Sequence, residues 1–86
     1  MKNEEIASNI RMLRRQHGET QAESAKAIGV SSSAWSMYEV GSRIPRDDVK
    51  LKIAKHFDTT VGAIFFGSDA HMKLVSQKRR NQHEDV

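Results

Sequence analysis

The tightest constraint in this 86-residue chain is the stretch Gly29-Val30-Ser31, which is all that lies between two short apolar-patterned segments, Gln21–Ile28 and Ser32–Val40. Ala22, Ala25 and Ile28 recur every three residues in the first, and Trp35 and Tyr38 do so in the second, so each segment has one apolar helical face. Gly29 stops the first segment, because a residue without Cβ enters the positive-φ region of a sharp turn at little cost. Ser31 is well suited to cap the second, its hydroxyl accepting a backbone N–H that the first helical turn leaves unpaired. With so short a connection the two helices must cross steeply. A small residue, Ala25, stands where they would meet, and Ile28, Val30, Trp35 and Tyr38 supply the contacts that fix the angle. These constraints together specify a helix-turn-helix.

The flanking sequence supplies a support for that corner. Ile6, Ile10 and Leu13 are spaced by four and three, with Met12 beside them, which predicts a first helix over 4–17 ended by Gly18. Thr20-Gln21-Ala22-Glu23 has the pattern of a capping box at the start of the second helix. After Gly41-Ser42-Arg43-Ile44-Pro45-Arg46, which reads as a loop, Asp47 is expected to cap a fourth helix burying Val49, Ile53, Ala54 and Phe57. Thr60 opens a short fifth helix over 61–66. The chain is therefore expected to be all-α, with a compact five-helix domain over 1–67 and a polar tail over 68–86. In the tail, Met72, Leu74 and Val75 are the apolar anchors, and the spacing permits an amphipathic helix over 70–78.

Composition narrows the chemistry. With 37% hydrophobic residues the chain can build one small core, and it is too short for a large catalytic domain with its own cofactor site. It contains no cysteine, which excludes disulfides and cysteine-ligated zinc and fits a reducing, cytoplasmic setting. The acidic start Asn3-Glu4-Glu5 argues against a secretory signal, and no apolar run approaches the roughly 18 residues of a membrane span. His17, His56, His71 and His83 lie far apart without metal-ligand spacing, and no hydroxyl has a base near it in a nucleophile pattern. No enzyme, metal or cofactor is expected. Fourteen Lys and Arg against eleven Asp and Glu give a net charge of +3, compatible with a polyanionic partner without specifying one. Lys50, Lys52 and Lys55 read as a solvated face, and Lys78-Arg79-Arg80 as a solubilising cluster.

Thr20-Gln21, Ala25, Gly29-Val30-Ser31, Ser36, Glu39-Val40-Gly41, Arg43-Ile44-Pro45 and Ile53-Ala54 together resemble the lambda-repressor-like helix-turn-helix family, the Cro and phage-repressor type also called the xenobiotic-response-element family. The resemblance extends over about residues 6–66. It implies a five-helix bundle whose third helix enters the major groove of double-stranded DNA while the second crosses the backbone. Ser32, Ser33, Ser36 and Met37 match the base-reading positions. Gln21, Ser31, Arg43 and Arg46 match positions that meet phosphates, and Arg14 with Glu39 matches a structural salt bridge. The end of such domains often forms a dimer contact, which here implicates Phe65, Phe66, Met72 and Leu74, with Val75 beside them. A homodimer would address half-sites about 34 Å apart.

Two departures from the family pattern matter. Ser24 stands where a large aliphatic residue is usual, and Trp35 occupies a core position more often held by Ile or Val, so the indole is expected to fill missing volume. The reading face also lacks Arg, Gln and Asn, the side chains that pair bidentately with guanine or adenine. Serine hydroxyls both donate and accept, whereas Met37 can pack on a thymine methyl, so DNA shape and phosphate contacts are expected to carry a larger share. The leading reading is a dimeric transcriptional repressor. An antitoxin that regulates its own promoter and binds an unknown protein partner, or a module whose third helix faces protein instead of DNA, are the alternatives.

Overall fold

The computed structural model describes residues 2–67, and these form five helices in the order α1 (Asn3–Gln16), α2 (Gln21–Ile28), α3 (Ser32–Val40), α4 (Asp47–His56) and α5 (Val61–Phe65). The tail expected over 68–86, including Met72, Leu74 and Val75, lies outside the described residues. Helix α1 carries Glu4 and Glu5 in its first turn and Arg14 and Arg15 in its last, both favourable to the helix dipole. It ends where Gly18 turns to φ +66° and the Glu19 N–H reaches back to the Arg14 carbonyl at 3.2 Å. The α2 capping box is complete: Thr20 Oγ1 accepts from the Glu23 N–H at 3.1 Å, and Glu23 Oε1 accepts from the Thr20 N–H at 2.8 Å.

The core draws on every helix. Ile6, Ile10 and Leu13 from α1, Ala25 and Ile28 from α2, and Trp35 and Tyr38 from α3 meet Val49, Ile53 and Ala54 from α4 and Ala63, Ile64 and Phe65 from α5. Burial of each large aliphatic or aromatic side chain contributes about 1.5–3 kcal/mol. Trp35 lies at the centre, edge-on to Tyr38 with ring centroids 6.1 Å apart and tilted against Phe57 at 6.3 Å. Helix α3 packs on both α1 and α2, while α5 closes the bundle against α1 and α4. The Asn9 side-chain amide fastens that closure by donating to the Ile64 carbonyl at 3.0 Å.

Four expectations need correction. Ala22 is exposed, and the third inward position of α2 belongs to Ser24. A buried serine is tolerable there because its hydroxyl donates to Glu19 Oε1 at 2.6 Å, so this site holds a satisfied polar contact rather than missing volume. Asp47 is not the cap of α4. Arg46 occupies the cap position without a side-chain bond, and Asp47 begins the helix, where its negative charge still faces the unpaired N–H groups. Lys50 is largely covered, its ammonium lying 5.4 and 5.6 Å from the ring centres of Phe65 and Phe66, so it does not belong to a solvated lysine face. Finally, α5 ends at Phe65, one residue early, and Phe65 is only 3% exposed. A ring buried in its own core cannot also supply a dimer contact, which leaves Phe66, at 67% exposure, as the available one.

Candidate nucleic-acid interface

Helix α3 divides into two faces. Trp35, Tyr38 and Glu39 are buried, whereas Ser32, Ser33, Met37 and Val40 are exposed and Ser36 is half-buried. Its ends are fixed by local chemistry: Ser31 Oγ accepts from the Ala34 N–H at 3.0 Å, and Gly41 at φ +78° ends the last turn. The Ser31 hydroxyl proton remains available to donate after this capping bond. Gly41 also lies against α1, since a Cβ there would come within 3.3 Å of the Asn3 carbonyl oxygen.

Glu39 anchors the inner face. Arg14 Nε donates to its Oε2 at 2.5 Å and Arg14 Nη2 to its Oε1 at 3.1 Å, while Gln21 Nε2 adds a bond to Oε1 at 3.0 Å and Trp35 Nε1 one to Oε2 at 2.6 Å. Arg11 Nη1 donates to the Glu39 backbone carbonyl as well. The same carboxylate thus receives donors from α1, α2 and α3. Burial pushes the Glu39 carboxyl up, but the bonds from Arg14, Gln21 and Trp35 outweigh it and hold the group below the usual carboxylate range. The bond to Glu39 correspondingly raises Arg14, so the bridge is fully ionised.

The expected phosphate-binding residues surround this helix in different ways. Gln21 stands at the first position of α2, half-buried, with its amide turned to Glu39. A carboxamide nitrogen carries two hydrogens, so one can hold Glu39 while the other faces outward. Arg43 is exposed in the loop after α3. Arg46 is 81% exposed and pairs with the exposed Asp48 at 3.7 Å, a contact weak enough to be exchanged for a phosphate. Met72 and Leu74 lie outside the described residues.

Three features went unread in the sequence. Val40 shares the outer face of α3 with Ser36 and Met37; its position one turn beyond Ser36 was the available signal. The Trp35–Glu39 bond joins residues four apart on one helix, a spacing that could have suggested it. By contrast, nothing local foretold that His56 Nε2 meets the Glu19 carboxylate at 2.9 Å, with His17 and His56 ring centres 6.2 Å apart. Among the described residues no group of three or more His, Asp and Glu is arranged to hold a metal ion, and no helix is long and apolar enough to cross a membrane.

Comparison with known proteins agrees with this geometry. A helix-turn-helix domain family matches over residues 5–63. The chain belongs to the helix-turn-helix domain family. This is the type of family that its residues resemble, and membership supports a role in DNA-binding transcription regulation. Among solved structures, the crystal structure of the clp gene regulator ClgR from Corynebacterium glutamicum is similar with a TM-score of 0.69 at 20% identity, over 94% of this chain and 86% of that one. At that identity the likeness concerns the fold. No curated protein matches the sequence.

Proposed function

We propose that this helix-turn-helix protein is a transcriptional repressor that occupies operator DNA as a homodimer, with α3 in the major groove of each half-site. One observation carries the reading: the inner face of α3 is fastened through Glu39 to α1 and α2, and its outer face presents hydroxyls and Met37 with no exposed acid. A rigidly held, uncharged helix face can enter a groove between two rows of phosphates without repulsion. Ser32, Ser33, Ser36 and Met37 are the base-reading group. Gln21, Ser31, Arg43 and Arg46 take the flanking phosphates, consistent with their placement at the starts of α2 and α3 and in the following loop.

Repression follows from steric occupancy of a promoter; the structurally similar ClgR is itself a gene regulator, which supports a regulatory role without fixing its sign. Dimerisation is supported by exposed Phe66 and Leu51, which line one shallow surface hollow. The test is selection of bound fragments from the host genome followed by gel shift across a salt series. A preferred fragment with two-fold symmetric half-sites, and affinity that falls steeply with salt, is the expected result. Weak, salt-erased binding with no preferred fragment would instead identify an interaction module whose α3 faces protein.

A further inference from the structure

We propose that Met37 and Val40 form an apolar strip that recognises the C5 methyl groups of thymine, making these methyls the base feature that α3 reads. The proposal rests on the reading of α3 as the groove-binding helix and specifies what that helix detects. Positions 33, 36, 37 and 40 share one helical face, and within it Met37 is 42% and Val40 68% exposed. The remaining members of the face are serines, whose hydroxyls rotate to donate or accept and so distinguish base edges poorly. On the major-groove edge of a base pair the only apolar group is the thymine methyl.

Position and charge favour the same occupant. Three residues of helix advance about 4.5 Å, on the order of one base-pair step of roughly 3.4 Å, so Met37 and Val40 can address neighbouring thymines. The single acid of α3, Glu39, is buried and paired with Arg14, leaving no anion on the strip to repel phosphates. Exposed Arg43, in the loop three residues after Val40, adds a cation near the end of the strip that suits a phosphate neighbour.

The test uses the full chain and duplexes selected from a random pool, with binding measured by fluorescence anisotropy. Each thymine is replaced in turn by deoxyuridine, which removes the methyl and retains the pairing. At one or two positions per half-site the replacement is expected to weaken binding about fourfold per methyl. At those positions a cytosine substitution should be partly rescued by 5-methylcytosine, which restores the same methyl on another base. The double variant Met37→Ala/Val40→Ala, whose substituted side chains are both exposed, should fold by circular dichroism and lose the deoxyuridine penalty, whereas Lys52→Ala, exposed on α4, should keep it. A uniform indifference to deoxyuridine, or a penalty undiminished in the double variant, overturns the proposal while leaving DNA binding intact. If the pool yields no retained sequence even at low salt, the groove-binding reading fails and takes this inference with it.

Discussion

Glu39 shows how much of this molecule depends on one side chain. A buried carboxylate is costly unless its lone pairs are met by donors, and here Arg14, Gln21 and Trp35 meet them. Glu39→Ala leaves the largely covered Arg14 guanidinium without its counter-charge, and the expected cost is about 3–5 kcal/mol in urea denaturation. The same group sets an acid limit. For Glu19, burial pushes the carboxyl up, but bonds from Ser24 and His56 and the nearby positive charge of His56 and His17 bring it below its ordinary value, as the donors to Glu39 do for that carboxyl. Because both values are depressed by folding, their contribution is complete above the unfolded glutamate value of about 4.3 and is lost as pH falls through the lower folded values. Stability should therefore hold near neutrality and decline from about pH 4 downward. Glu39→Gln should flatten that decline, and an unchanged acid limb in denaturation at stepped pH would contradict the assignment.

At the scale of elements, the two glycines that bracket α3 make different demands. Gly29 at φ +88° has open space around the position of a Cβ, so Gly29→Ala bears only the left-handed backbone cost of about 1–2 kcal/mol. Gly41 at φ +78° adds the Asn3 carbonyl 3.3 Å from that position, and Gly41→Ala should be the more destabilising of the two by equilibrium unfolding. Equal losses would show that the close approach of α1 to the end of α3 has no energetic weight. The element boundaries were largely legible beforehand, because Thr20, Glu23, Gly29, Ser31 and Gly41 act on their immediate neighbours. The inward face of α2 was less so. Counting apolar residues selected Ala22, whereas the fold turns Ser24 inward and satisfies it with Glu19 from outside the helix.

For the whole molecule, the proposed dimer centres on Phe66. Its neighbour Phe65 completes the core under Lys50, so the apolar surface left at this end of the domain is Phe66 with Leu51. If this surface joins two copies, Phe66→Ser should shift sedimentation towards the monomer and weaken operator binding, with the thermal unfolding of each domain little changed. A mass that stays monomeric at every concentration, with and without DNA, would remove the dimer from the proposed function.

Local chemistry in the chain was sufficient for five helices, the caps of α2 and α3 and the glycine corner, since periodicity and capping involve residues within a few positions of one another. The choice between Phe65 and Phe66, the covering of Lys50 and the meeting of His56 with Glu19 depended on how separate helices pack. Arg14 and Glu39 stand 25 positions apart, and pattern similarity alone suggested their pairing; only the folded arrangement brought Gln21 and Trp35 to the same carboxylate. Such contacts lie beyond local sequence because burial and distance are properties of the assembled bundle, fixed when five amphipathic faces close on one core.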